Sequence, residues 1–296
     1  MKRWSFLICL LILCLALVGC GKEAPAAPPV DNGAISTPPA EQPKVEQPSP
    51  QPVTPPVEKP VPADPLPGEQ VAPEVPEIIF GDYSGSFMDS SGTVVLLRVE
   101  SNLPHIESLP QIHTYYQTLW EDLKAIYELN RTDAAQYQAE CLRMGQEFVR
   151  WTAEIQFEVL RNDGVTLSVL REIYENLGGA HPMVTYQAET FDVASQGRLL
   201  LGNLFTVSED VYSPRLRDMI LSQMDKQETE NGVAYYDSAR EQLMTLLDPM
   251  DFALTEDCLL IFYNEYALAP HAAGPQLFYL PLSELSDILL PQYITE

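Results

Sequence analysis

Residues 153–193 read AEIQFEVLRNDGVTLSVLREIYENLGGAHPMVTYQAETFDV, and this stretch decides the fold. Apolar and polar residues alternate on both sides of Asn162-Asp163-Gly164, a period of two that is typical of strands with one buried face. Because glycine accepts the positive φ that a tight reversal needs, the pattern predicts a β-hairpin centred on this turn. The second arm runs directly into LGGAHP, and the alternation then resumes from Met183.

The pattern changes on either side of this stretch. Residues 93–100, TVVLLRVE, are rich in β-branched residues and predict a strand. Apolar residues three and four apart predict helices over 114–130, 133–151, 208–227, 235–247 and 282–290. Two further strands are predicted within 258–268 and 275–282. Hairpins mixed with helices, without regular strand–helix–strand alternation, indicate an α+β fold with a mainly antiparallel sheet and packed helices.

The N-terminus has the pattern of an export signal. Met1-Lys2-Arg3 is followed by the apolar run FLICLLILCLALV, which is too short for a typical membrane span. The run ends in LVGC, residues 17–20, which resembles the lipobox of bacterial lipoproteins. That resemblance implies removal of residues 1–19 and attachment of a lipid, with palmitate among its acyl chains, to Cys20. The alternatives are an ordinary cleaved signal peptide or an uncleaved anchor.

Residues 20–76 are expected to join this lipid anchor to a folded domain as a disordered linker. The stretch from Gly21 to Pro76 holds 17 of the 26 prolines of the chain and almost no aromatic residues. Such a composition cannot bury enough apolar surface to offset the entropy of ordering. An extended proline-rich chain rises about 3.1 Å per residue, so this tether reaches up to roughly 170 Å from the membrane. The alternative is that the segment is a proline-rich ligand for another domain.

The folded part, residues 77–296, is strongly acidic. It carries 34 acidic and 12 basic residues, a formal charge of −22. This charge repels nucleic acid and anionic wall polymers, and it favours cationic partners. Its alternative role is to keep the domain soluble.

Cysteine spacing offers no sign of a metal or cofactor site. Cys9 and Cys14 lie within the signal, whereas Cys141 and Cys258 lie in apolar sequence and are expected to be buried free thiols. A disulfide between these two is the alternative, since an exported domain permits one. The chain has no CxxC and no Cys/His cluster, so we expect no metal ion and no cofactor.

Two loops rich in small residues are the candidate binding site. The first is Gly178-Gly179-Ala180-His181-Pro182, and Ala269–Pro275 repeats the pattern around a second histidine. Paired glycines allow close backbone approach, and a proline stiffens each loop. The candidate binding residues are Gly178, Gly179, Ala180, His181, Pro182, Tyr266, Pro270, His271 and Gly274. The alternative is an ordinary pair of turns with structural histidines.

Catalysis is the weaker interpretation of these loops. His181 and His271 are two candidate zinc ligands, with Glu265 or Asp192 as a conceivable third. A hydrolytic zinc site usually has three protein ligands at a recognisable spacing, and no HExxH or HxxE spacing is present. No GxSxG nucleophile elbow occurs, so no catalytic residue is assigned. Exposed aromatic residues near the second loop would suit a glycan instead, and the candidates are Tyr263, Tyr266 and Tyr279.

Three motifs in order carry a family resemblance. They are GGAHP (178–182), TFDVASQGRLLLGNLF (190–205) and FALTEDCLLIFYNEYALAPHAAGPQLFYLPLSEL (252–285). Together they resemble an extracytoplasmic domain of Gram-positive bacteria that is shared by the lysozyme-sensing anti-sigma-V factor and a peptidoglycan deacetylase. The resemblance covers about 155–290, so we expect a small α+β subdomain at 77–154 and the anti-sigma-V-like domain at 155–296.

The resemblance implies binding rather than chemistry. The anti-sigma relative has a sigma-binding segment and the deacetylase has a separate catalytic domain, and neither is expected in this chain. We therefore expect a recognition module on the outer face of the cell membrane, held there by its lipid. Its ligand would be a cationic wall hydrolase such as lysozyme, or a peptidoglycan glycan. The alternative is an envelope enzyme that uses His181 and His271.

Overall fold

The computed structural model describes residues 73–294, which contain two β-sheets and three α-helices. The predicted α+β class with mainly antiparallel sheets is therefore confirmed. Cys20 and nearly all of the proline-rich linker lie outside the described residues. Within residues 73–294, no helix is both long and apolar enough to span a bilayer.

The first sheet has five strands in the order β1-β2-β3-β4-β5. Their bounds are Ile79–Met88, Val95–His105, Trp151–Asn162, Thr166–Asn176 and Met183–Asp192. Neighbours are antiparallel except for β2 and β3, which are parallel. A parallel pair needs a crossover, and helix α1 (Pro110–Met144) provides it.

The hairpin predicted around Asp163-Gly164 is confirmed as β3 and β4. The Asp163 carboxylate accepts hydrogen bonds from the backbone N–H groups of Val165 and Thr166, at 2.9 and 2.7 Å. Gly164 has φ +82°, the conformation that the turn requires. The alternation that resumes at Met183 is strand β5. It pairs with β4 from Glu175 opposite Met183 to Thr166 opposite Asp192.

Helix α1 is a single helix of 35 residues, so the prediction of separate helices at 114–130 and 133–151 was wrong. The junction at residues 131–132 contains neither glycine nor proline, and nothing there ends a helix. The helix ends instead at Gly145, whose φ of +67° is the left-handed cap conformation. Its buried side chains face the first sheet, and they include Ile112, Tyr116, Trp120, Leu123 and Tyr127.

The second sheet has three antiparallel strands in the order β6-β7-β8. They are Phe252–Leu254, Cys258–Tyr263 and Gln276–Pro281. Helices α2 (Glu209–Asn231) and α3 (Ala239–Leu246) pack with this sheet around a second core. The predicted helices at 208–227 and 235–247 are therefore confirmed, whereas the helix expected over 282–290 is only a 3₁₀ turn at Leu282–Leu285.

Two strands were missed from the sequence. One of them is β1, which contains two serines and two glycines among its ten residues. Its glycines are compatible with a strand because the Tyr83 ring lies over Gly81, where an added Cβ would come within 2.8 Å of the ring. Strand β6 has only three residues, too few for alternation to be visible.

The two cores divide the described chain near residue 200. One core contains the first sheet and α1, from Leu96 to Phe191, and the other spans Leu201 to Tyr293. A smaller apolar cluster, which includes Leu170 of β4 and Phe262 of β7, joins the two sheets. The boundary expected between residues 154 and 155 lies within β3, so the two segments that it separates share one sheet.

Side chains from the second half cap the free edge of β5. The Asn264 amide donates to Tyr186 O at 3.0 Å and accepts from Tyr186 N at 2.7 Å. Two residues along, Asp251 accepts from Ala188 N, and Arg198 donates to Ala188 O at 2.6 Å. Each of these backbone groups would otherwise be an open site for pairing with another chain.

A buried ion pair lies between the first sheet and α1. Arg171 of β4 lies 3.0 Å from the Glu189 carboxylate of β5, and both side chains are at least 93% inaccessible to solvent. The hydroxyl of Tyr115 donates to the same carboxylate at 3.2 Å. Burial raises the pKa of Glu189, and the positive charges of Arg171 and Arg198 oppose that rise.

Cys141 and Cys258 are both free thiols. Cys141 is buried in α1, whereas Cys258 is half-buried at the start of β7. Burial raises the pKa of the Cys258 thiol, and the neighbouring Asp257 adds to the rise. A thiol with a raised pKa is largely protonated, and therefore a poor nucleophile, at neutral pH.

Candidate functional site

The capped edge of β5 brings the two histidine loops together. The first loop connects β4 to β5, and the second connects β7 to β8. Asn264, at the end of β7, is bonded to the backbone of β5, and the next residue, Glu265, accepts a hydrogen bond from Val184 N at 3.4 Å. The chain beyond Glu265 is therefore placed beside the start of β5, where His181 lies.

Three rings then lie nearly parallel on the surface. His181 and His271 are stacked with centroids 3.6 Å apart and planes 15° apart. The Tyr266 ring lies 5.9 Å from His271 and 6.4 Å from His181, tilted by 20° and 33°. We call His181, Tyr266 and His271 the ring platform. It is accessible to a partner, because His181 and Tyr266 are exposed and the side chain of His271 keeps 32% of its accessibility.

Hydrogen bonds fix the orientation of His181. The Tyr266 hydroxyl lies 3.1 Å from His181 Nε2, and Pro182 O lies 3.0 Å from His181 Nδ1. A carbonyl oxygen only accepts, so Nδ1 carries the proton and Nε2 accepts from the tyrosine. This tautomer is assigned from the hydrogen-bond network.

His271 is oriented by a carboxylate. Its Nδ1 lies 2.6 Å from Glu265 Oε2, and the Glu265 side chain is only 4% exposed. Since a carboxylate accepts, Nδ1–H donates to it and the Nε2 atom of a neutral His271 is left as an acceptor. No other described residue forms a hydrogen bond with His271 Nε2.

Unusual backbone conformations hold the loops in place. Tyr266 has φ +65°, which is uncommon outside glycine and costs of order 1 kcal/mol. Gly178 has φ +75° and lies against the Trp151 indole, where an added Cβ would come within 2.5 Å of Nε1. Gly274 has φ +67° in open space. The first loop is thus seated on a buried tryptophan, and the second is shaped by backbone conformation alone.

The structure places all nine candidate binding residues in these two adjoining loops. Gly178, Gly179, Ala180, His181, Tyr266 and Pro270 are exposed, while Pro182, His271 and Gly274 are half-buried. Whether they bind a ligand stays a prediction.

Of the two residues considered as a third metal ligand, only Glu265 is beside the histidines. Asp192 lies at the far end of β5 and bonds to Ser195. Among residues 73–294, no group of three or more His, Cys, Asp or Glu side chains is arranged to hold a metal ion.

The three tyrosines near the second loop have different environments. Tyr263 is buried and donates to Leu243 O at 2.7 Å, so it belongs to the core. Tyr279 is 49% exposed on β8, outside the ring platform. Only Tyr266 contacts the histidines.

Sequence patterns gave no indication of the supporting residues. Asn264 and Trp151 position the two loops, but one lies at a strand end and the other begins β3.

On the adjoining face of the sheet, the Tyr186 hydroxyl donates to Glu172 at 2.7 Å. Burial, and then this hydrogen bond, raise the pKa of Tyr186, so its hydroxyl stays protonated and neutral at physiological pH.

The chemistry available here is recognition of hydrogen-bond donors and flat groups. Parallel aromatic rings suit a guanidinium plane or the apolar face of a sugar. The free acceptor at His271 Nε2 suits a ligand that donates. The same Glu–His arrangement can orient a general base, but a nucleophile beside it is needed for covalent catalysis.

The family match lies in the second half of the chain. Residues 202–283 match the family described as "Protein of unknown function (DUF3298)". This match contains the second histidine loop, including Tyr266 and His271, whereas the first loop lies outside it.

Sequence relatives are distant. The immunogenic protein MPT64 of Mycobacterium tuberculosis is 31% identical over 127 residues, covering 42% of this chain and 52% of the relative. Esterase Rv3036c of the same species is 26% identical over 132 residues, covering 42% and 53%. The peptidoglycan-N-acetylmuramic acid deacetylase PdaC of Bacillus subtilis is 23% identical over 174 residues, covering 57% and 36%. The chain thus spans about half the length of the mycobacterial relatives.

Two solved structures share the fold. A DUF3298-family protein from Bacteroides fragilis superposes with a TM-score of 0.54 at 16% identity, covering 74% of this chain and 96% of its own. Another from Pseudomonas aeruginosa gives a TM-score of 0.51 at 17% identity, covering 75% and 98%. Since both align with most of the folded part, their similarity includes the first sheet as well as the matched segment. Residues 202–283 of this chain are therefore similar to the DUF3298 family, and they lie within a larger fold that two crystal structures of that family share.

Proposed function

We propose that this protein is an extracytoplasmic recognition module that binds a cationic wall hydrolase such as lysozyme at its ring platform. The observation that carries the proposal is the platform itself, three near-parallel rings exposed on an acidic domain. Lipid on Cys20 would hold the module at the outer face of the cell membrane, with residues 21–76 as the tether.

Charge supports a basic protein as the ligand. Residues 73–294 contain 34 acidic and 12 basic residues, so the described domain has a formal charge of −22. A field of this sign speeds the arrival of a cationic protein and slows that of an anionic one. Arginine side chains of such a partner can stack on Tyr266 and donate to His271 Nε2. Tyrosine and arginine are also enriched among the hot-spot residues of protein interfaces.

Binding is favoured over catalysis by the hydrogen bonds of the platform. His181 uses Nε2 and Nδ1 within the loops, to Tyr266 and Pro182, so neither nitrogen is available to transfer a proton in this arrangement. These bonds hold the ring flat against His271, as a contact surface requires.

A peptidoglycan glycan is the second ligand to test. One relative is named a peptidoglycan deacetylase, and sugar rings stack on aromatic side chains. Such a ligand is less suited to the acidic surface if its peptide stems carry carboxylates.

The direct test compares binding of lysozyme and of purified peptidoglycan to the full-length protein by titration calorimetry and pull-down. We expect His181→Ala with His271→Ala to weaken lysozyme binding at least about tenfold, because the rings supply contact area at the centre of the site. The matched control is His105→Ala with His113→Ala, a second ring pair with centroids 4.2 Å apart on another part of the surface. The control variant should bind as the unchanged protein does.

The outcomes separate the ligands. Lysozyme binding that survives the platform substitutions, together with a large loss of thermal stability, would show that both histidines are structural. Binding of peptidoglycan but not of lysozyme would replace the cationic protein by a glycan. Raising the salt concentration should weaken the lysozyme complex, since association with an acidic domain is screened.

An envelope hydrolase is the competing function. The near-buried Glu265 carboxylate 2.6 Å from His271 is the geometry that orients a histidine base, and one relative is named an esterase. Hydrolysis of a short-chain aryl ester by the full-length protein, abolished by His271→Ala, would favour this function over recognition.

A further inference from the structure

We infer that the free edge of β1 is a second interaction surface, which accepts an extended basic segment of a partner protein as an added strand. The partner's charge follows from the proposed function, in which the ligand is a cationic protein. The edge itself is argued from hydrogen bonds in the sheets and does not involve the ring platform.

The described sheets have four free edges, and three of them are capped by side chains. On β5 the capping residues are Asn264, Asp251, Arg198 and Glu265. On β8, the Gln223 amide of α2 donates to Tyr279 O at 2.6 Å and accepts from Tyr279 N at 3.2 Å.

The edge of β6 is capped in the same manner. Thr190 donates to Phe252 O at 3.1 Å, and Leu254 N donates to Ser168 Oγ at 2.9 Å. Side-chain groups thus replace the neighbouring strand that each of these edges lacks.

Strand β1 differs from the other three edges. Across its ten residues, the one side-chain hydrogen bond to its backbone from the described chain is from Arg131 to Met88 O, at 3.5 Å and at the last residue. The strand is exposed along the edge, with Phe80 at 41% and Ile79 at 55% of full accessibility. A long strand with unpaired backbone groups is a template for strand addition.

The charge around β1 selects the occupant. Residues 73–97 contain no lysine, arginine or histidine and four carboxylates, which are Glu74, Glu77, Asp82 and Asp89. Arg98 of β2 lies opposite Ser86, but it forms an ion pair with Glu100 at 2.5 Å, so it adds no net positive charge there. A second copy of this chain would bring an identical acidic edge against the first, which is unfavourable. The proline-rich segment of the chain is also a poor strand, because proline has no N–H to donate. An extended segment with lysine or arginine at alternate positions can pair with the backbone of β1 and also complements its negative charge.

Strand addition would use general features of a partner. Backbone hydrogen bonds supply most of the affinity, and side chains at alternate positions supply the selectivity. On the face of the sheet away from α1, Asp82 and Ser84 are exposed beside β2, whereas Glu100, opposite Ser84, is already paired with Arg98. Basic side chains of the added strand would lie next to these groups.

The test uses ten-residue peptides that alternate lysine with valine or threonine, added to the full-length protein. We expect the unmodified peptide to slow amide exchange in residues 79–88 and not in β5. Two further peptides carry N-methyl groups on either the odd or the even residues. Binding should be abolished for the peptide whose methylated N–H groups would face β1, and it should be retained for the other. Replacing the lysines by glutamate should also abolish it.

Substitution of the protein provides the matched control. Ser84→Lys with Ser86→Lys places two cations on exposed positions of β1 and should weaken the basic peptide at least about tenfold. Ser283→Lys with Gln242→Lys makes the same change in net charge at exposed positions outside the first sheet and should have little effect.

Three results would overturn the inference. The first is equal binding of the two N-methylated peptides, and the second is protection from amide exchange outside β1. The third is a self-associated protein that becomes monomeric when Ser84 and Ser86 are replaced by lysine, because a second copy would then be the occupant. Failure here is separable from failure of the proposed function. The platform variant should still bind the peptide, and the β1 variant should still show a platform-dependent response to lysozyme.

Discussion

At the scale of single residues, the site depends on glycines that perform different tasks. Gly178 and Gly274 have nearly the same positive φ, +75° and +67°. Only the first is also packed, against the Trp151 indole. A side chain at the first position therefore meets a backbone penalty and a steric clash, and a side chain at the second meets the backbone penalty alone.

Comparing Gly178→Ala with Gly274→Ala isolates the contact with the tryptophan. We expect Gly274→Ala to lower the free energy of unfolding by about 1–3 kcal/mol, because φ +67° with ψ −173° is a backbone conformation that residues with a Cβ rarely adopt. Gly178→Ala should cost roughly 1–3 kcal/mol more, because the indole must move. Chemical denaturation monitored by tryptophan fluorescence measures both. Equal losses would mean that the loop shifts away from Trp151 without cost.

At the scale of elements, β4 and β5 carry the ion pair of Arg171 and Glu189 beneath α1. Solvent is excluded from both side chains, so removing one partner leaves the other charge buried with much less compensation. The pair also links two neighbouring strands to Tyr115 of the helix.

Breaking this pair should cost more than replacing it. Arg171→Met alone should destabilise the protein by about 3–5 kcal/mol, and Glu189→Leu by a similar amount. The double substitution should recover much of that loss, since an apolar pair of similar volume has no buried charge to solvate. The double-mutant cycle is measured by urea denaturation. Additive losses would show that the two charges are not coupled.

How far the sequence predicts the elements depends on how local their signals are. The β3–β4 hairpin was predictable because alternation and an Asp-Gly turn lie within one short stretch. Helix α1 was divided wrongly, since the polar run at 130–133 resembles a loop although no residue there ends a helix. Strand β1 was missed because its glycines and serines have low strand preference, and its pairing with β2 depends on Tyr83 and Phe87 packing against the core.

The candidate site was predictable in composition but not in geometry. Two similar loops pointed to His181 and His271, and the structure brings them together. Their contact depends on Asn264, which bonds to a strand 78 residues earlier in the chain. A contact over that separation leaves no periodic signal in a single sequence.

At the scale of the whole molecule, the order of the chain and the capping of β5 have a consequence for folding during synthesis. The first sheet is complete by residue 192, but its caps lie at Arg198, Asp251 and the Asn264–Glu265 pair. A chain that emerges from its N-terminus can therefore form β5 before most of the groups that cap it are available. During that interval, the strand edge is open to other nascent chains.

A chain that ends at residue 197 reproduces this interval, and we expect it to aggregate at concentrations where the full chain remains clear in light scattering. Tyr186→Pro in the shortened chain removes an N–H that Asn264 would have accepted, and should reduce the aggregation. A shortened chain that stays monomeric would show that the edge is harmless without its caps. If it aggregates, the late-emerging loop that carries Asn264 acts as an intramolecular chaperone. The segment that supplies two of the three platform rings then also ends the period in which the nascent protein is at risk.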